Sequence, residues 1–258
     1  MMFNIHWIPQ HFDATKDKAF FQNIKPRFIK VVWDGTPPYI DVVRDLGAGY
    51  VYRDYLMSEN WNNRHLTSES GARQIGQEHA AYLKPAYDAL RAWRIPANKI
   101  WFEGLNEPNL WTEGERPALM AIYCRACTEG VHKYGARAVT ANFGVGWPGN
   151  SHNGGGKAGP KDSPPLWDFW KPVVEVMITD PAYPDFLGLH EYWGFNGPQE
   201  NWKWWGGRFS HCPYQVPILL TECGIDGGVV QQWNRGWGSL PGKTRDEKAA
   251  RYVAELWW

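Results

Sequence analysis

Two rhythms of apolar residues run along this chain. Short apolar runs, several of them almost wholly apolar, recur at residues 3–8, 28–33, 50–56, 100–107, 136–143, 186–192 and 218–222. Runs of this length with little polar alternation predict strands covered on both faces. Between them, apolar residues return at helical spacing over residues 70–93, 115–134, 165–178 and 244–258. Pro117 falls in the first turn of the second segment, where its missing N–H costs little. Thr244-Arg245-Asp246-Glu247 opens the last with the pattern of a capping box. Strands alternating with helices predict βα units around a parallel sheet.

The segments that follow the strands are long. Residues 144–165 are rich in Gly, Asn, Ser and Pro, residues 194–213 carry Trp202, Trp204 and Trp205, and residues 226–241 carry Trp233 and Trp237. In (β/α)8 barrels the loops beyond the carboxyl ends of the strands build the active face. The expectation is an α/β fold in one catalytic domain over residues 1–258, a (β/α)8 TIM barrel lacking its eighth strand and helix. The apolar runs number seven and the sequence stops on the helix after the last, which reads as C-terminal truncation. A barrel left open in this way exposes the edges of its first and seventh strands, and such edges invite self-association.

Composition narrows the chemistry. Lys plus Arg equals Asp plus Glu at 27 each, so no basic field exists to attract nucleic acid or an anionic membrane. Tryptophan is the outlier, with 17 residues. Trp61, Trp147, Trp193, Trp202, Trp204, Trp205, Trp233 and Trp237 lie in polar or Gly-rich surroundings. Their flat faces suit the apolar C–H faces of sugar rings, or else they anchor loops. Cys124 and Cys127 form a lone C-x-x-C within a helical pattern, which fits packing better than a zinc site that needs four ligands. A Cys212–Cys223 disulfide cannot be inferred from the sequence. The N-terminus has no basic segment followed by an apolar one, so no signal peptide is read, no run is long enough to span a membrane, and a cytoplasmic location is the default expectation.

Two carboxylates stand out. Glu107 closes Trp101-Phe102-Glu103-Gly104-Leu105-Asn106-Glu107-Pro108, and Glu222 closes Ile218-Leu219-Leu220-Thr221-Glu222, about 115 residues later. A charged side chain rarely ends an apolar strand without a partner or a task. Paired carboxylates are the equipment of glycoside hydrolysis. Pro108 should bias Glu107 to extended backbone. Asn106 could hold a sugar hydroxyl through its amide. His190 and Tyr192 are two apart on a strand and share a face, so His190 is either structural or a substrate contact. Tyr192 could orient a carboxylate and keep it ionised. Glu191 would face away unless a bulge re-aims it. Arg53 needs an acid, whether Glu222, Asp54 or Glu103. His6, Lys30 and Asp34 sit at or near strand ends, with solvated and structural roles as plausible as functional ones.

These residues carry a resemblance. Phe102 to Leu110 resembles the strand-four acid/base motif of the clan A retaining glycoside hydrolases, Thr221-Glu222-Cys223-Gly224 resembles their strand-seven nucleophile motif, and His190-x-Tyr192 resembles their strand-six motif. The first is most like family 39 and its metagenomic or phage-borne relatives. The resemblance implies a retaining glycosidase acting by double displacement on an oligosaccharide or polysaccharide. Glu107 would be acid/base, Glu222 nucleophile, Asn106 the 2-hydroxyl contact and Tyr192 the nucleophile's partner, with His190, Arg53 and Trp193 at the substrate. No metal or organic cofactor is required. Two departures stand against it: no aromatic platform from an eighth strand, and Arg53 on the third strand by count rather than the second. The rival readings are a catalytically inactive carbohydrate-binding barrel, and a metal-dependent hydrolase using His6, His190 and Glu191.

Overall fold

The computed structural model describes residues 4–7, 14–56, 58, 66–108, 116–144, 167–177, 184–193, 212–225, 244, 246–248 and 250. Seven strands form its centre: β1 Asn4–Trp7, β2 Phe28–Trp33, β3 Gly49–Asp54, β4 Ile100–Glu103, β5 Arg137–Phe143, β6 Phe186–Trp193 and β7 Ile218–Ile225. Every pairing is parallel, and the strands stand side by side in chain order. Helices α1 (Ala14–Ile24), α2 (Ile40–Leu46), α3 (Glu69–Ala92), α4 (Arg116–His132) and α5 (Trp167–Val174) fill the crossovers. The architecture is a partial (β/α) barrel. An eight-stranded closed barrel is not shown, and β1 and β7 are the edges of the sheet among the described residues.

The strands fall where the apolar runs place them. Their ends differ by more than one residue in three places: the run ending at Glu107 is strand only to Glu103, the run over 50–56 is strand only to Asp54, and the run over 218–222 continues as strand to Ile225. Helices α1 and α2 escape the pattern for different reasons: little of α1 is apolar and buried, while α2 buries Ile40, Val42 and Val43 but is too short to show a helical period. Phe21 is the one large buried side chain of α1, and α2 is a seven-residue helix closed by Gly47 at φ 63°. At the far end, Thr244 and Glu247 make the expected reciprocal cap, Thr244 N–H to Glu247 Oε2 at 2.9 Å and Glu247 N–H to Thr244 Oγ1 at 3.2 Å. Of the remainder of that segment, residues 246–248 and 250 are helical, and 245, 249 and 251–258 lie outside the described residues.

Alternation along the strands sorts side chains into two cores. The larger lies between sheet and helices and includes Ile29, Tyr50, Tyr52, Phe102, Leu187 and Leu189. The smaller lies on the opposite, inner face: Phe28, Val51, Trp101, Val139 and Leu219, with Phe186 packed against them. Phe28 meets Trp101 edge-on at 5.0 Å between ring centroids and Phe186 at 5.7 Å. Two residues further along β2, β3 and β4, and four further along β6, the same inner face carries Lys30, Arg53, Glu103 and His190, all buried. An apolar floor thus supports a layer of charge.

Two irregularities change which residues join that layer. Between β6 and β7 the register shifts after Leu189, so His190 pairs with Glu222 instead of Thr221. Strict alternation from Leu219 would have turned Glu222 to the helix side; the shift returns it to the inner face. Between β5 and β6 the register shifts between Thr140 and Phe143, where Ala141 and Asn142 both take positive φ. This sets Asn142 against Gly188, where a Cβ would lie 1.9 Å from Asn142 Oδ1. Gly188→Ala should therefore overpack the inner face and cost about 1–3 kcal/mol. Urea unfolding measures it, and a midpoint equal to that of the unmodified protein would refute the packing described here.

Candidate active site

The turn after β4 holds the first carboxylate. Gly104 N–H donates to Val139 O at 2.9 Å, Leu105 N–H to Tyr123 Oη at 3.2 Å, and Asn142 Nδ2 to Leu105 O at 2.9 Å. Tyr123 Oη also pairs with His79 Nδ1 at 2.8 Å. It reaches the turn because α3 and α4 pack very closely: a Cβ on Gly76 would lie 2.5 Å from the Tyr123 carbonyl. The chain is thereby forced through Glu107 at φ 40°. The extended backbone expected of a residue before proline is not adopted; three tertiary hydrogen bonds on Gly104 and Leu105 override the local bias.

Around the turn, charged groups converge. Lys30 Nζ lies 3.0 and 2.9 Å from the two oxygens of Glu103 and 3.1 Å from Glu222 Oε1. Arg53 Nη1 lies 2.8 Å from the same Glu222 oxygen and also donates to Asn106 Oδ1. His190 Nδ1 lies 2.9 Å from Glu107 Oε1 and 3.6 Å from Glu222 Oε2, and its Nε2 lies 3.6 Å from Glu103 Oε1. Glu107 and Glu222 therefore flank one imidazole nitrogen. Their nearest oxygens are no further apart than those two distances laid end to end. That limit sits at the short edge of the ~6.5–9.5 Å spacing of inverting pairs and admits the ~5–5.5 Å of retaining ones.

The carboxylates differ in setting. The Glu107 side chain is 45% exposed, Glu222 11% and Glu103 0%. Burial opposes the ionisation of Glu103, yet Lys30, His190 and Arg53 together hold its carboxyl well below the usual range. Burial also opposes the charging of His190, but Glu222, Glu103 and Glu107 outweigh it and raise the imidazole above its ordinary value.

The structure brings together Glu107, Glu222, Asn106, His190 and Arg53 from the sequence-predicted set. Arg53 meets Glu222 and also helps hold the Glu103 carboxyl low, while Asp54, on the other face, receives Tyr52 Oη at 3.4 Å. Tyr192 and Trp193 lie on β6, opposite Gly224 and Ile225 of β7, with their side chains outside the described residues. The same holds for His6, opposite Lys30. Trp61, Trp147, Trp202, Trp204, Trp205, Trp233 and Trp237 also lie outside them. Asp34 Oδ1 accepts from Leu56 N–H at 2.8 Å, a backbone tie. Glu191 is buried opposite Cys223, facing away from His190, so the two cannot share a metal. All four cysteines are free thiols. Burial pushes Cys124 and Cys127 up to about 12, which leaves them as packing residues.

Sequence reasoning met Glu103 only as a possible partner of Arg53 and left Lys30 between solvated, structural and functional roles. The signal was present: each interrupts an apolar run two residues after an inward aromatic, Trp101 and Phe28. The argument used for Glu107 and Glu222, that a charge in an apolar strand needs a partner, applied to both.

No family model and no curated protein matches this chain. Among solved structures 23 chains match. A GH5 xyloglucan-specific endo-beta-1,4-glucanase from a metagenomic library, in complex with cellotriose, superposes with a TM-score of 0.51 at 15% identity, over 96% of this chain and 76% of its own. The mannotriose complex of Thermomonospora fusca beta-mannanase gives 0.49 at 12% identity over 96% and 82% of the two chains. The catalytic domain of a mannanase from Streptomyces sp. SirexAA-E gives 0.47 at 12% over 99% and 72%. At these identities the likeness is one of fold, and the first of the three carries it. No helix among the described residues is long and apolar enough to cross a membrane.

The hydrogen bond from Tyr123 to His79 links the site to stability. Burial lowers the His79 imidazole to about 3, so the folded protein keeps it neutral while the unfolded chain titrates near 6.5. A depressed imidazole contributes stability that is complete above pH 6.5 and is lost as pH falls towards 3. Between pH 7 and pH 5 this loss should reach about 2 kcal/mol. His79→Gln, neutral throughout, should flatten that part of the profile; urea midpoints at the two pH values measure the difference.

Proposed function

We propose that this chain is a retaining glycoside hydrolase, with Glu222 as nucleophile and Glu107 as acid/base. One observation carries the reading: two carboxylates from separate strand ends meet at a single His190 nitrogen, one nearly buried beside two cations and the other half exposed. Those are the settings the two roles need. A nucleophile must be ionised, and Lys30 and Arg53 favour the anion at Glu222. An acid/base must reach both the leaving group and water, and the exposure of Glu107 allows it.

In the first step Glu222 Oε2 attacks the anomeric carbon. Oε2 is assigned because both cations contact Oε1. The bond from that carbon to the leaving oxygen breaks as Glu107 gives that oxygen its proton. Water then attacks the same carbon, Glu107 takes a proton from it, and the bond to Glu222 breaks, restoring the carboxylate. Atoms balance without a metal or redox partner. Each half-reaction needs the carboxyls close enough to serve one ring, and the shared imidazole supports that closeness. His190 holds Glu107 in line, and Asn106, braced by Arg53, is placed to meet the sugar's 2-hydroxyl.

The substrate is an oligosaccharide or polysaccharide read at the carboxyl ends of the strands. The motif likeness to family 39 and the fold likeness to a family 5 enzyme meet at the clan, so the proposal stands at that level. The inactive carbohydrate-binding barrel is the rival outcome of the same experiment.

Incubation with an activated 2-fluoro-glycoside should label Glu222 covalently. Glu107→Gln should slow substrates with poor leaving groups by about 10²–10⁴-fold and activated ones far less, whereas Glu222→Gln should abolish turnover of both. Sugar binding without any label on Glu222 would favour the binding barrel, and equal mild losses from the two substitutions would break the role assignment.

A further inference from the structure

Glu103 has no place in the mechanism above. It is fully buried, lies behind the two reacting carboxylates, and yet is ionised beside Lys30. Lys30 is equally unexplained by the fold. An ammonium inside the apolar run of β2 loses its hydration and must be compensated by partners. Among the described residues its ammonium donates hydrogen bonds to Glu103 Oε1 at 3.0 Å and to Glu222 Oε1 at 3.1 Å, with the second Glu103 oxygen in ion-pair contact at 2.9 Å. Lys30 is therefore divided between one carboxylate that cannot reach a substrate and one that can. Arg53 Nη1, from the next strand, contacts the same Glu222 oxygen at 2.8 Å.

We infer that Lys30 is the positioning residue of Glu222: anchored from behind by Glu103, its ammonium fixes Oε1 and holds the carboxylate ionised with Oε2 turned towards His190. Glu103 then sets how much of the lysine's charge Glu222 feels. A full cation on the nucleophile would keep it ionised but would bind its electrons too tightly for attack, and a shared one moderates that. Among the described residues, other groups facing Glu222 include Arg53 from β3, Glu107 from the turn after β4 and His190 from β6, with Cys223 next along β7. All of them remain in the variants below. The catalytic meaning of this arrangement rests on the glycosidase reading; the charge coupling itself does not.

The test measures that coupling without turnover. The full chain is labelled with carboxyl-13C glutamate, the Glu222 resonance is identified by its loss in Glu222→Gln, and its titration is followed by NMR. Lys30→Met should move the ionisation of Glu222 up by about one pH unit or more, because a cation in contact is lost. Glu103→Gln should move it down, because the lysine then serves Glu222 alone. Lys30→Arg should restore a value near that of the unmodified protein. Lys30→Met combined with Glu103→Gln leaves no buried charge unpaired, so it should fold even where Lys30→Met alone does not, and its Glu222 should still titrate above the unmodified protein.

A purely structural pair would lower the melting temperature in both single variants without moving Glu222 in opposite directions. Shifts of the same sign, or none, in folded variants overturn the inference. In parallel, the acidic limb of kcat/KM on an activated aryl glycoside should follow the same shifts. Absence of turnover in the unmodified protein would defeat the glycosidase reading, while the titration would still decide the role of Lys30.

Discussion

Everything in this molecule's inner face follows from the need to keep buried charges paired. Lys30 and Arg53 stand against Glu103 and Glu222 in one layer of a parallel sheet. None of the four could stay ionised there alone, because the loss of hydration exceeds any single stability gain available to a protein of this size. Together they neutralise one another, and the aromatic floor of Phe28, Trp101 and Phe186 keeps their surroundings poor in water. Low polarity strengthens each contact and fixes the geometry. Glu107 is added from above, tied to the layer through His190.

The sheet supplies this layer only by breaking its own regularity. A parallel sheet with strict alternation would have Thr221, not Glu222, facing inward on β7. The register shift opposite Leu189 exchanges them, and Thr221 turns its hydroxyl to the Leu189 carbonyl at 3.5 Å. The shift in β5 similarly presents Asn142 to the turn that carries Glu107. The shift in β5 lies near the carboxyl end of its strand, and the one between β6 and β7 lies at mid-strand, where His190 and Glu222 enter the charged layer. Glu107 itself sits at positive φ before a proline, a costly conformation sustained by Tyr123 and Asn142 on the preceding residues. Backbone strain and charge pairing thus support the same few atoms.

Helix packing contributes at a distance. The close approach of α3 to α4 at Gly76 brings Tyr123 under the turn, and His79 holds the hydroxyl from the other side. A site built on strands and turns is in this way indexed to the helical layer. The difference in exposure between Glu107 and Glu222 is one product of that indexing, since the turn carries Glu107 outward while β7 keeps Glu222 within the wall.

The sequence by itself determined the strands, the long helices and the residues worth watching. Apolar runs too short for helices and too continuous for a one-faced sheet have little alternative to a covered parallel sheet, and carboxylates that close such runs announce themselves. It also held the clue to Lys30 and Glu103, charges inside apolar runs, because local pattern records burial. Local pattern does not record register. Whether Glu222 faces inward, whether Glu107 is extended, and which acid Arg53 meets depend on contacts among β3, β6, β7 and the turn after β4, far apart along the chain. Helix α1, with one large buried apolar side chain, and α2, too short to show a period, were likewise decided by what they pack against. The reason is common to all of these: alternation fixes a side chain's face only while the ladder stays regular, and tertiary packing alone decides where the ladder slips.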